Sequence, residues 1–372
     1  VNATAIAGDA AAIGTNSLAM GKAAVASGVN STAIAVAAYA NGVDSVALGV
    51  RANAIGNQSM AMGTNTLANG INSTAIASNA TARGDNSVAL GVYASANAES
   101  ALAFGTNALA NQTNATAIAA NATAMGNNSI AIGVFASALQ NNAQAFGVRA
   151  KANGVNAVAI AANSNASGTN SMAMGVDSTA TQTNSVAIGT LAQATGNGAL
   201  AFGANAAASN VDTMAFGVNS IASAANATAI GRSALANSAN ALALGLFAKA
   251  TGNIAVAIGM NANAAANESL AIGAYANATY SNALAIGTNA QATNVNAMAL
   301  GSQSVASTLD AFAAGLGSRA TGVNSMALGM YSNASQTNAF AAGSFASALA
   351  ENSLAYGTRA YASQINSMAT GT

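Results

Sequence analysis

The chain has 372 residues, of which 52% are hydrophobic and only 5% charged, with nine basic and nine acidic side chains. That balance gives no electrostatic reason for nucleic acid or an anionic membrane as a partner. Cys and His are both absent, which excludes disulfides, thiolate or imidazole catalysis and most transition-metal sites.

Read from the N-terminus, the chain counts in fourteens. With Val1 as position 1, the first unit closes at Gly14, and 26 full units and eight residues of another follow one another without insertion or deletion. Within each unit, positions 3–6 predict a strand (A), as in Ser87-Val88-Ala89-Leu90. Position 7 is Gly in 22 of 27 units and predicts a tight bend. Positions 9–13, as in Tyr93 to Asn97, predict a second strand (B). Positions 14, 1 and 2, where Gly and Asn collect, predict a second bend, since both residues tolerate left-handed backbone. A short period held in step is the pattern of a solenoid, in which each unit stacks only on its neighbours. The missing Pro agrees, because every coil needs its N–H groups for the ladder.

A helix does not fit this period. The small residues at positions 3 and 5 would fall about 200° apart on a helix, whereas on a strand they share one face. Disorder does not explain an Ala kept at position 5 in all 27 units, from Ala5 to Ala369.

Strand alternation sorts the side chains. Positions 3, 5, 10 and 12 point inward, and all 106 such sites are Ala, Ser or Thr, so the two sheets of the roll are expected to lie closer than the usual ~10 Å. Positions 4 and 6 point outward from strand A, and 47 of these 54 sites are apolar. An apolar stripe of that extent is rarely left open to water. Its repetition predicts copies of the same chain around a shared axis, with Met62, Leu90, Phe104, Ile132, Ile188, Phe202 and Leu244 between chains. Positions 9, 11 and 13 are read as the outward face of strand B. If a ligand binds, Tyr93, Phe135, Arg149, Phe247, Tyr275 and Arg359 are the candidates. Seven of the nine acids sit at positions 1 or 2, and all nine bases at positions 8–13. Solvation of turns and pairing between chains across a seam both account for that segregation. Sequons at Asn30, Asn72, Asn79, Asn114 and Asn277 are candidates for glycosylation on an exported chain.

The phrases Asn86-Ser87-Val88-Ala89-Leu90-Gly91 and Asn184-Ser185-Val186-Ala187-Ile188-Gly189 resemble the YadA-like head repeat of trimeric autotransporter adhesins, and the resemblance covers the whole chain. It implies an all-β fold, a left-handed parallel β-roll, with three chains packed about their A faces. It further implies display on a bacterial cell surface, outside the cell, and attachment to host matrix such as collagen, to cells or to its own kind. No catalytic, metal or cofactor role is expected, and no direct membrane insertion by this segment. A structural filament or a phage tail-fibre shaft would use the same repeat. An ice-binding solenoid fits less well, because Thr occupies position 4 only at Thr4, Thr32, Thr74, Thr116 and Thr228.

Residues 1–372 therefore read as one uninterrupted repeat array. Three-coil echoes such as GVRA at 49–52, GVYA at 91–94 and GVFA at 133–136 point to growth by duplicated cassettes. The array is expected to be a segment of a longer chain, its 26 coils spanning about 125 Å at ~4.8 Å each.

Overall fold

The computed structural model describes residues 2–371. They form two compact units, Val1–Ser185 and Val186–Thr372, and each is a parallel β-solenoid of 14-residue coils. In the first unit the A strands run from Thr4–Ile6 to Met172–Met174 and the B strands from Ala11–Ala12 to Thr179–Ala180. In the second they run from Val186–Ile188 to Met368–Thr370 and from Gln193–Ala194 to Tyr361–Ala362. Neighbouring strands pair in parallel with a shift of one whole unit, as in Val88↔Leu102, Ala89↔Ala103 and Leu90↔Phe104. B strands follow the same rule, as in Ser95↔Leu109 and Ala96↔Ala110. Like therefore stacks on like at every level of a unit.

The core is built from the smallest side chains. Ala89, Ala94 and Ala96 are wholly buried, and so are Ser87 and its position-3 counterparts away from the two ends, such as Ser31 and Ser185. The largest fully buried side chains are Thr66 and Thr213. In many coils a hydroxyl there closes on a nearby carbonyl: Ser31 Oγ donates to Gly28 O at 2.7 Å, Ser87 Oγ to Gly84 O at 2.6 Å and Ser178 Oγ to Gly175 O at 2.8 Å, whereas the buried hydroxyls of Ser17, Ser45, Ser59, Ser73 and Ser171 have no such partner. Such a bond offsets the cost of burying the polar group. Small size is what Ala, Ser and Thr share at positions 3 and 10.

Strand B is shorter than the sequence reading expects. It is two residues, positions 11 and 12, as in Ser95–Ala96. Position 9 is a corner residue in left-handed backbone, with φ near 60° at Tyr93 and Phe135 and 55° at Arg51. The physical cause is a second turn matching the first. Ala94 N–H donates to Gly91 O at 3.0 Å and closes the turn over positions 7–10, just as Ser87 N–H donates to Gly84 O at 3.2 Å over positions 14–3. The corner N–H groups also join the ladder: Tyr93 N–H reaches Ser78 O of the coil before, and Asn86 N–H reaches Ile71 O. Each coil is thus two seven-residue halves with left-handed residues at positions 2 and 9.

The bend at position 7 strongly favours glycine. Gly91 has φ 137°, and a Cβ there would lie 2.5 Å from Gly105 O on the next coil. The five alanines at this position, Ala7, Ala35, Ala77, Ala119 and Ala161, take φ between 92° and 105° instead, a region L-residues rarely occupy.

Candidate functional site

The A-strand stripe repeats from coil to coil on each unit. Its side chains stand outward between wholly buried alanines: Leu90 is half-buried beside Ala89, and Phe202 beside Ala201. Met62, Ile132 and Ile188 are likewise half-buried, while Phe104 is 52% and Leu244 38% exposed. What covers them in part is the same position one coil away. Phe202 and Phe216 stack with ring centroids 4.7 Å apart and planes 6° from parallel. The remaining outward surface is aliphatic and aromatic from coil to coil, which is what a solvent-facing sheet avoids.

The six candidate ligand-facing residues do not lie on the outward face of strand B. Tyr93, Phe135, Arg149, Phe247, Tyr275 and Arg359 all occupy position 9, with φ between 56° and 60°. They project from the corner between the strands because the turn, not the strand, sets their direction. All six are exposed, but they are not gathered: Phe135 and Arg149 are one coil apart, and the others stand two or more coils from their nearest fellow. One corner pair went unnoticed in the sequence. Tyr331 and Phe345 stack at 5.5 Å, and the signal was two aromatics 14 residues apart at position 9.

The opposite corner carries a ladder of side-chain amides. In the first unit Asn114, Asn128, Asn142, Asn156 and Asn170 each hand an Nδ2–H to the Oδ1 of the next, ending on Asn184, over 2.9–3.3 Å. In the second unit Asn324, Asn338 and Asn352 do the same, ending on Asn366. Asn is suited here twice over, by its tolerance of left-handed backbone and by having both a donor and an acceptor. Of the sequon residues, Asn30, Asn72 and Asn114 belong to this corner, and their Nδ2 groups donate to Asp44, Asn86 and Asn128. A glycan would attach at that same nitrogen. Asn79 sits at the position-9 corner with φ 59°. Asn277 lies on a B strand and accepts from Asn263 Nδ2 at 2.9 Å.

Among the described residues there is no pocket, no cluster of metal-ligating side chains, and no helix long and apolar enough to cross a membrane. The surfaces that remain are the A stripe, the short B face and the two corners.

A family model described as the YadA head domain repeat (2 copies) matches residues 12–34, 40–66, 54–76, 68–94, 96–118, 124–143, 141–160, 166–192, 183–206, 208–234, 236–262, 264–290, 278–304, 292–318, 320–346 and 348–372. Fourteen of these sixteen stretches begin at position 12, the buried Ala of strand B, so the family's register is the register of the coil. No curated protein matches the chain in sequence comparison.

Proposed function

Because the chain belongs to the YadA head-repeat family, we propose that it is a non-enzymatic extracellular fibre, a homotrimeric adhesin head displayed on a bacterial cell surface. The observation that carries this reading is the outward apolar stripe at positions 4 and 6, repeated through both units. Three parallel copies with their A faces turned to a common axis bury it coil by coil. Met62, Leu90, Phe104, Ile132, Ile188, Phe202 and Leu244 are then the contact residues. The B face and the outer rims of the corners, which no neighbouring copy covers, stay outward and meet a matrix protein such as collagen, a cell-surface molecule or another fibre. The exposed corner aromatics and arginines are the residues of choice for such contacts.

A second reading is a structural filament without a specific ligand. It draws support from the low charge of the chain and from the lack of a pocket among the described residues. Beads coated with the purified protein separate the two. The adhesin reading expects saturable attachment to immobilised collagen, to cells or to one another, weakened by Tyr93→Ala with Phe135→Ala. Beads that adhere to none of the three would contradict it and favour the filament.

A further inference from the structure

The two corners that bound the A strand have unlike chemistry. Positions 1 and 2 hold seven of the nine acids and no base, while the other corner, positions 8 and 9, holds five bases, Lys22, Arg51, Arg149, Arg232 and Arg359, with the remaining two acids, Asp9 and Asp177. Aliphatic side chains stand beside these charges and are only partly covered by their own chain. In the coil 43–56, Val43 and Asp44 occupy one corner and Val50 and Arg51 the other. Both valines are 40% exposed, and both charged residues are exposed. The coil 351–364 in the second unit repeats the charge pattern with Glu351 and Arg359, again exposed. No coil sets an acid at positions 1–2 against an acid at positions 8–9, or a base against a base.

A three-fold ring joins unlike surfaces, because each copy presents one flank to the neighbour before it and the other flank to the neighbour after it. With the A face toward the axis, those flanks are the two corners. Positions 2 and 9 are half a coil apart, a rise of roughly 2.4 Å, which an arginine spans easily. We propose that the corners form a second contact between copies of this chain, distinct from the A-face stripe. Val43 and Asp44 of one copy meet Val50 and Arg51 of the next, and Glu351 meets Arg359 in the same way. This inference rests on the trimer reading above. Edge-to-edge contact closes the three rolls against water along their length, and unlike charges fix which edge meets which.

The absence of Cys allows a direct test. Positions 2 and 9 of one coil lie beyond opposite ends of the A strand with six residues between them, and the stretch from position 2 to position 7 alone spans roughly 16 Å when extended. A disulfide needs Cα atoms within about 7 Å, so a bond between these positions reports a contact between chains. Asp44→Cys with Arg51→Cys in the full chain is expected to give covalent trimers, with dimers as the partial product, on non-reducing gels after mild oxidation. Val43→Cys with Val50→Cys, and Glu351→Cys with Arg359→Cys, are expected to do the same. Asp44→Cys alone, and Asp44→Cys with Asn53→Cys on strand B, are expected to stay uncross-linked. Sedimentation of the same samples distinguishes the failures. Trimers that none of the three pairs cross-links would overturn the corner contact and leave the A-face trimer standing. Efficient dimers from Asp44→Cys alone would overturn it by showing like edges together. Monomers in sedimentation would remove the trimer and the corner contact with it.

Discussion

Exchanging residues at the position-7 bend in two adjacent coils should move stability in opposite directions. Gly91 and Ala77 occupy the same place one coil apart, at φ 137° and 92°. A Cβ added at Gly91 would sit 2.5 Å from Gly105 O and 2.6 Å from its carbonyl carbon, so the backbone must turn toward the Ala77 geometry. A side chain held in such a region costs about 1–3 kcal/mol. The loss of glycine's freedom in the unfolded chain returns about 0.5–1 kcal/mol. Gly91→Ala is therefore expected to destabilise each chain by about 0.5–2 kcal/mol on those two terms. Ala77→Gly removes the strain and gives the freedom back, and is expected to stabilise by up to about 2 kcal/mol on the same terms. If three copies unfold together, both effects count three times. Guanidinium unfolding followed by circular dichroism at one protein concentration reads the difference as a shift in midpoint. Loss of stability in Ala77→Gly equal to that in Gly91→Ala would refute the strain argument.

Ala89→Leu places three extra carbons between buried alanines and should cost about 1–3 kcal/mol in a denaturant titration, whereas Gln193→Ala, exposed on strand B, should stay within about 0.5 kcal/mol of the parent. Asn142→Ala deletes the amide that both accepts from Asn128 and donates to Asn156 in a left-handed corner, and a loss of about 1–2 kcal/mol is expected in the same titration. Asn142→Gly should recover the backbone part of that loss but not the ladder bonds. Leu90→Asp, on the outward stripe, should lower the denaturant midpoint while the folded species keeps its sedimenting mass; an unchanged midpoint would place Leu90 outside the interface.

The coil was legible in the sequence because its interior admits so few residue types. A wholly buried site such as Ala89 or Ser87 tolerates only Ala, Ser or Thr, so two-residue alternation reports the facing directly. The bend at Gly91 was legible for the same reason, since its φ excludes most side chains. The corner at position 9 was not. Its occupants run from Asn79 to Tyr93, Leu191 and Arg51, with no Gly or Asn rule to mark left-handed backbone. The ladder imposes that backbone instead: Tyr93 N–H is fixed on Ser78 O while Ala94 N–H closes on Gly91 O, and the side chain follows. Reading position 9 as strand put Tyr93 and its five counterparts on the B face, when they stand at the edge. The likeness of the two halves of the coil, with Asn86 and Tyr93 as equivalent corners, was the overlooked clue.

Everything proposed for the chain's function depends on the A stripe being shared by three copies. Sedimentation equilibrium at several protein concentrations measures that without reference to any ligand. The account predicts a single species near three times the chain mass of 35.4 kDa, folded by circular dichroism and showing no dissociation short of unfolding. A folded, stable species at 35.4 kDa would contradict it.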